Sequence, residues 1–157
     1  MERTGIFVGT FNPFTVGHAS IVRRALPLFD RLVIGVVGDP VQKPGLPPAA
    51  ERAEAIARIY ANEPGISVKT YFGLAVDFAR EQGARFIVKG VRSVKDFEYE
   101  REQADVNRLI TGGEIETVLL YAEPHLSSIS STMVRELQHF GIDTTPFLVR
   151  ELGDGLA

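Results

Sequence analysis

The chain has 157 residues, 45% of them apolar and 24% charged, with a formal net charge of −3. No cysteine is present, which excludes disulfides, thiolate catalysis and zinc–thiolate sites, and the acidic balance argues against a general nucleic-acid binder, whose footprint is basic. No apolar run approaches a membrane span and no signal-peptide core follows Met1, so a cytoplasmic protein with no membrane partner is expected.

Thr4 to Val8 is a short apolar run that predicts a buried strand, and Ala19 to Leu26 carries Ile21, Val22, Ala25 and Leu26 at helical spacing. Between them runs Gly9-Thr10-Phe11-Asn12-Pro13-Phe14-Thr15-Val16-Gly17-His18, a strand-to-helix turn of unusual composition. Gly9 permits a sharp bend or the close approach of a ligand. Asn12-Pro13 is a turn dipeptide, and His18 falls in the first turn of the helix. Anions bind readily at such a helix start, where an imidazole can donate to a phosphoryl oxygen.

Arg31 to Val37 is a continuous apolar run, the mark of a strand buried on both faces. Gly38 to Pro48 is a long loop rich in proline and glycine, and loops of this kind at a strand's carboxyl end are often functional. Ala49 to Asn62 predicts a helix with Ala53, Ile56, Ala57 and Tyr60 on its buried face. Ile66 to Phe72 alternates, as a half-buried strand near a sheet edge does, and Gly73 to Gln82 predicts a short helix stopped by Gly83. Arg85 to Val88 is a fourth strand, with Lys89-Gly90-Val91-Arg92 as the loop behind it. A long helix over Val94 to Ile110, a strand over Glu116 to Tyr121 and a helix from about Ser130 to Phe140 complete the pattern, with a weakly patterned tail beyond Ile142.

Strand and helix thus alternate along the chain with short connections. The expectation is one α/β domain over residues 1–157: a Rossmann-like, doubly wound, five-stranded parallel sheet with helices on both faces. In open sheets of this kind ligands sit beyond the carboxyl ends of the strands, where the strand order reverses. An order of 3-2-1-4-5 places that reversal between the first and fourth strands, so the His18 loop and the Lys89–Arg92 segment should flank one crevice.

Lys89 and Arg92 suit phosphates, Arg92 through its planar fork and Lys89 as a point charge. Asp96-Phe97-Glu98-Tyr99-Glu100 opens the long helix, where acidic residues complement the dipole. Glu100 either does only this or meets a ribose or a magnesium-bound water, while Phe97 and Tyr99 are read as packing or subunit contacts. In Ser127-Ser128-Ile129-Ser130-Ser131-Thr132 one hydroxyl suffices for an N-cap, and no acidic residue stands where a capping box needs it. The surplus suits the outer phosphates of a triphosphate. His125 and His139 are read as loop and helix-surface residues, and with no H-x-x-x-H pair no protein-built metal site is expected.

The pattern G-T-F-x-P-x-T-x-G-H resembles the T/H-x-G-H signature of the nucleotidyltransferase superfamily, whose members join a phosphate to the α-phosphoryl group of a nucleoside triphosphate and release pyrophosphate. With K-G-V-R, D-F-E-Y-E and S-S-I-S-S-T in register over residues 5 to 140, the chain resembles the bacterial phosphopantetheine adenylyltransferases. The resemblance implies ATP and 4′-phosphopantetheine as substrates and dephospho-coenzyme A as product. It further implies magnesium carried mainly by the ATP phosphates, and a homohexamer.

By position, the resemblance implies that Thr10 contacts both substrates, that Phe11 lies against ATP, and that His18 binds the triphosphate and stabilises the transition state. Gly90, Val91 and Arg92 would line the ATP site, with Glu100 near the ribose or adenine. Leu126, Ser127, Ser128, Ile129, Ser130, Ser131 and Thr132 would hold the outer phosphates. Lys89, Gln42, Leu74 and Ala75 would meet the second substrate, and His18, Thr10, Arg92 and Lys89 would carry catalysis without a covalent intermediate. Three positions depart from the family pattern: Asn12 replaces an Asp, Gln42 a Lys and Lys89 an Arg. The alternatives are a nucleotidyltransferase acting on nicotinamide mononucleotide or a sugar or polyol phosphate, and a nucleotide-binding protein that has lost catalysis.

Overall fold

The computed structural model describes residues 1–39, 41 and 43–149. Five parallel strands form one sheet: β1 (Thr4–Gly9), β2 (Arg31–Val37), β3 (Ile66–Tyr71), β4 (Phe86–Val91) and β5 (Glu116–Tyr121). Their spatial order is β3-β2-β1-β4-β5, as the sequence predicts. The helices between and after them are α1 (Val16–Ala25), α2 (Ala49–Ile59), α3 (Ala75–Glu81), α4 (Val94–Thr111) and α5 (Ser131–His139).

The alternation of side chains along the central strands divides the interior in two. Phe7 of β1 and Leu32, Ile34 and Val36 of β2 pack with Ala19, Val22 and Ala25 of α1 and Ile56 and Ile59 of α2. Ile6 and Val8, with Val33, face the other way onto Val76, Phe78 and Ala79 of α3. Helices therefore cover both faces, which is why β1 and β2 read as unbroken apolar runs. β3 lies at the edge, as its half-buried pattern predicts, but Thr70 and Phe72 are exposed, so the alternation does not hold beyond Val68.

Two readings of the sequence need correction. The buried stripe of α2 is Arg52, Ile56 and Ile59, while Ala57 is exposed. Lys89, Gly90 and Val91 are not a loop but the last three residues of β4. They stay in the strand because β5 continues alongside them, pairing Lys89 with Leu119, Gly90 with Leu120 and Val91 with Tyr121. The weakly patterned tail also has a place. It forms a short 3₁₀ turn at Thr145–Phe147, Leu148 bridges to Thr15, and Val149 packs against the α1–α2 side of the core.

The ladder between β1 and β4 is short. It joins Gly5 to Phe86, Ile6 to Ile87 and Phe7 to Val88, and then ends. β1 keeps company with β2 as far as Gly9 and Val36, and β4 with β5 as far as Val91. The carboxyl ends of the two central strands thus part, and a wedge opens between them where the strand order reverses.

Candidate active site

A cavity of about 360 Å³ fills that wedge. Of the residues singled out from the sequence, it gathers Thr10, Phe11 and His18 from the β1–α1 side, and Lys89, Gly90 and Val91 from β4, Arg92 from the turn behind it and Glu100 from α4. Leu126, Ile129, Ser130, Ser131 and Thr132 close it from the α5 side. Ser127 and Ser128 do not line it; the Ser127 hydroxyl donates to the Pro124 carbonyl within its own turn. Leu74 and Ala75 also lie apart, at the start of α3 behind edge strand β3, and Gln42 falls outside the described residues.

His18 is held from two directions. Thr15 is the N-cap of α1 and His18 is its third residue, and together they form a capping box. The Thr15 backbone N–H donates to His18 Nδ1 at 2.9 Å, while the His18 N–H donates to Thr15 Oγ1 at 3.4 Å. A backbone N–H can only donate, so Nδ1 must be unprotonated and a neutral imidazole carries its proton on Nε2. The ring is stacked on Phe14 at 5.3 Å and meets the edge of Phe11 at 5.1 Å. Burial among these rings, and secondarily the positive charge of Arg92, lower the His18 pKa from 6.5 to about 4. At neutral pH the residue is therefore an oriented, uncharged Nε2–H donor.

Phe11 has a φ of +51°, a left-handed conformation seldom adopted by a bulky side chain, and its ring is buried between Phe7 and Phe14. Such a backbone persists only when its surroundings over-determine it, as this aromatic cluster does. Gly9 serves the same cluster. A Cβ there would stand 3.0 Å from Phe11 Cζ, so the glycine makes room for the ring, and it also lines the crevice.

On the facing wall, Lys89 Nζ lies 3.0 Å from Glu100 Oε2, an ion pair across the β4–α4 connection. Burial lowers the Lys89 pKa. Arg92 is tied at both ends of its residue to one carboxylate: its backbone N–H donates to Asp96 Oδ2 at 3.1 Å, and Nε lies 3.5 Å from the same oxygen. Asp96 in turn is held by Ser93, the N-cap of α4. The acidic start of α4 thus orients the two cations as well as complementing the dipole.

The hydroxyl run before α5 is largely engaged by the protein. Ser130 caps the helix by accepting from Met133 N–H, and Ser131 Oγ donates to the Pro13 carbonyl at 2.7 Å. Thr132 Oγ1 accepts from Arg135, whose guanidinium also donates to the Asn12 carbonyl. These bonds clamp α5 to the Asn12–Pro13 turn. What they leave for an anion is the backbone at the α5 start and the Arg135 cation, which also lines the cavity.

A profile of the cytidylyltransferase-like family matches residues 6–137. Phosphopantetheine adenylyltransferase of Phocaeicola vulgatus is 52% identical over 146 residues, covering 93% of this chain and 95% of that protein. The chain belongs to the phosphopantetheine adenylyltransferase family. The same enzyme of Bacteroides fragilis is 49% identical over the same share of each chain. A solved structure from Vibrio parahaemolyticus, assigned as a nicotinate-nucleotide adenylyltransferase, covers 95% of this chain and 88% of its own at a TM-score of 0.69 and 16% identity. That likeness extends the fold beyond the family.

Seen as a member of this family, the chain holds two site features that its motifs do not show, and a third residue, Arg52, whose guanidinium donates to the Thr10 carbonyl beside them. The Thr15–His18 capping box was legible as T-x-x-H, but an imidazole is an unusual partner in a box normally closed by Glu or Gln. Arg135 stands one turn into α5, next to a motif and outside it. Arg52 had a signal in its spacing, a charge on the stripe shared with Ile56 and Ile59.

Proposed function

We propose that this chain transfers the adenylyl group of ATP to 4′-phosphopantetheine, giving dephospho-coenzyme A and pyrophosphate. The observation that carries the reading is the convergence of a neutral His18 Nε2–H donor with Lys89 and Arg92 on one crevice, in a chain half identical to enzymes of that name. An oxygen of the acceptor phosphate attacks the α-phosphorus in line, and the bond from that phosphorus to the bridging oxygen breaks as pyrophosphate leaves. No covalent enzyme intermediate is needed, so positioning and electrostatics carry the rate. His18 donates to a phosphoryl oxygen as its charge grows, and Arg92 and Lys89 offset the charge on the transferring and leaving groups. Thr10, at the exposed lip of the cavity, faces both substrates, and the α5 start with Arg135 receives the outer phosphates.

Among the described residues no group of three or more His, Asp or Glu is arranged to hold a metal. Magnesium in this reading travels with the nucleotide, bound chiefly by its phosphates and water, as this small cation favours. The exposed apolar residues Val106, Leu109 and Ile110 on α4 support self-association, which we read as the homohexamer. No helix among the described residues is long and apolar enough to cross a membrane, in line with a cytoplasmic enzyme.

The deciding experiment is magnesium-dependent pyrophosphate release from ATP, with 4′-phosphopantetheine and nicotinamide mononucleotide offered separately. Turnover with phosphopantetheine alone is expected. Turnover only with the mononucleotide replaces the acceptor, and ATP binding without turnover on either indicates a non-catalytic nucleotide binder.

A further inference from the structure

Arg52 is 6% exposed, yet none of its neighbours among the described residues is a carboxylate within ion-pair distance. Its guanidinium is spent on backbone carbonyls. Nε donates to Pro47 O at 2.8 Å, and Nη1 donates to Thr10 O at 2.6 Å and to Val37 O at 3.1 Å. Burial lowers its pKa, while the carbonyl acceptors favour the charged form. A buried charge of this kind is costly unless fully hydrogen-bonded, and well-packed apolar residues often replace buried ionic groups without loss of stability. On a stripe shared with Ile56 and Ile59, packing alone would be met by a methionine.

The choice of carbonyls is informative. Val37 ends β2 and Pro47 stands one residue before Pro48, the N-cap of α2, so they stand at the two ends of the stretch over residues 38–47. Thr10 is the first residue beyond β1 and lines the crevice. Arg52 itself lines a second hollow of about 230 Å³, together with Asp39, Lys43, Thr70 and Phe72. Its side chain therefore stands in the partition between hollow and crevice, and one planar group fixes the base of the connection against the motif loop.

We propose that Arg52 is a positioning residue for adenylyl transfer, locking the Thr10 backbone to both ends of the 38–47 connection and so setting the register between the crevice and the hollow behind it. The proposal rests on the crevice being the transfer site. A planar fork with donors in fixed directions is needed to reach three carbonyls, which a lysine ammonium cannot do from the same stem.

The test is steady-state kinetics of wild type, Arg52→Met, Arg52→Gln and Arg52→Lys with ATP and 4′-phosphopantetheine each varied, beside thermal unfolding of the same proteins. We expect all three variants to lose about 10- to 100-fold in kcat, the scale of a small misplacement of reacting groups. The KM for ATP should stay within about twofold and melting temperature should not track the loss, because most of the proposed nucleotide contacts lie on β4, α4 and the α5 start rather than on the Thr10 backbone that Arg52 holds. Should Arg52→Met fail to fold, the folded Gln or Lys variant decides the matter on the same criteria. Full kcat in any folded variant, or a loss that scales with melting temperature, overturns the proposal alone. Absence of turnover in the wild type overturns it together with the assigned reaction.

Discussion

Lys89 on β4 and Glu100 on α4 meet at 3.0 Å on the wall of the crevice, with side-chain exposures of 30% and 9%. The contact is an ion pair without an aligned hydrogen bond to that carboxylate oxygen. It is too shielded to count as a surface pair and too open to carry the full penalty of a buried one. A double-mutant cycle of Lys89→Met and Glu100→Gln, read by urea unfolding, should return a coupling of about 1–2 kcal/mol, between those two regimes. A coupling indistinguishable from zero would mean that water screens the pair.

His18 makes the pH dependence predictable in sign. Its folded-state pKa of about 4 lies below the unfolded value of 6.5, so the unfolded chain binds the proton first. Stability from this residue is complete above pH 6.5 and is lost as pH falls from there through 4. Denaturant unfolding should show this decline between pH 7 and 5, and His18→Gln should reduce it. For kcat/KM, which reports groups of the free enzyme, no His18 inflection is expected between pH 6 and 8. A limb near 6.5 that vanishes in the Gln variant would put an ordinary, solvated imidazole there. His18→Ala should lower kcat by roughly 10²–10³, the effect of removing one donor to developing charge.

Gly9 is expected to resist even alanine. The added methyl would press on Phe11, whose φ of +51° leaves the ring no easy retreat. Gly9→Ala should cost about 1–3 kcal/mol in unfolding, the usual range for overpacking. It should also weaken ATP binding in calorimetry, because Phe11 supports His18. Unchanged values in both would show that the ring adjusts freely.

The exposed apolar face of α4 offers a separate test. Leu109 is 82% exposed, and Leu109→Asp should shift the protein to smaller species in light scattering while leaving its circular dichroism unchanged. The same mass for variant and wild type would place the assembly contact elsewhere.

Sheet order and the pairing of the two loaded segments were legible because they follow from periodicity and from strand connections. The status of Lys89-Gly90-Val91 was not, since nothing local reports that β5 runs alongside them. The Lys89–Glu100 pair was equally hidden. Eleven positions apart on different elements, the two residues meet only once α4 has folded back onto the sheet. For the hydroxyl run before α5, composition suggested a ligand where Ser130 and Ser131 are largely occupied with Met133 and Pro13. Side-chain chemistry read in sequence overstates what is left for a substrate, because the fold takes its share first.

The parting of β1 from β4 after Phe7 and Val88 has a consequence for how such a protein can change over time. The opening is made by main chain, which every sequence possesses, so its width does not depend on the side chains around its rim. Replacements such as Asn12 or Lys89 alter what the rim attracts and leave the opening in place. The frame can therefore outlast most of the sequence built on it, and a shared fold at 16% identity is in keeping with that.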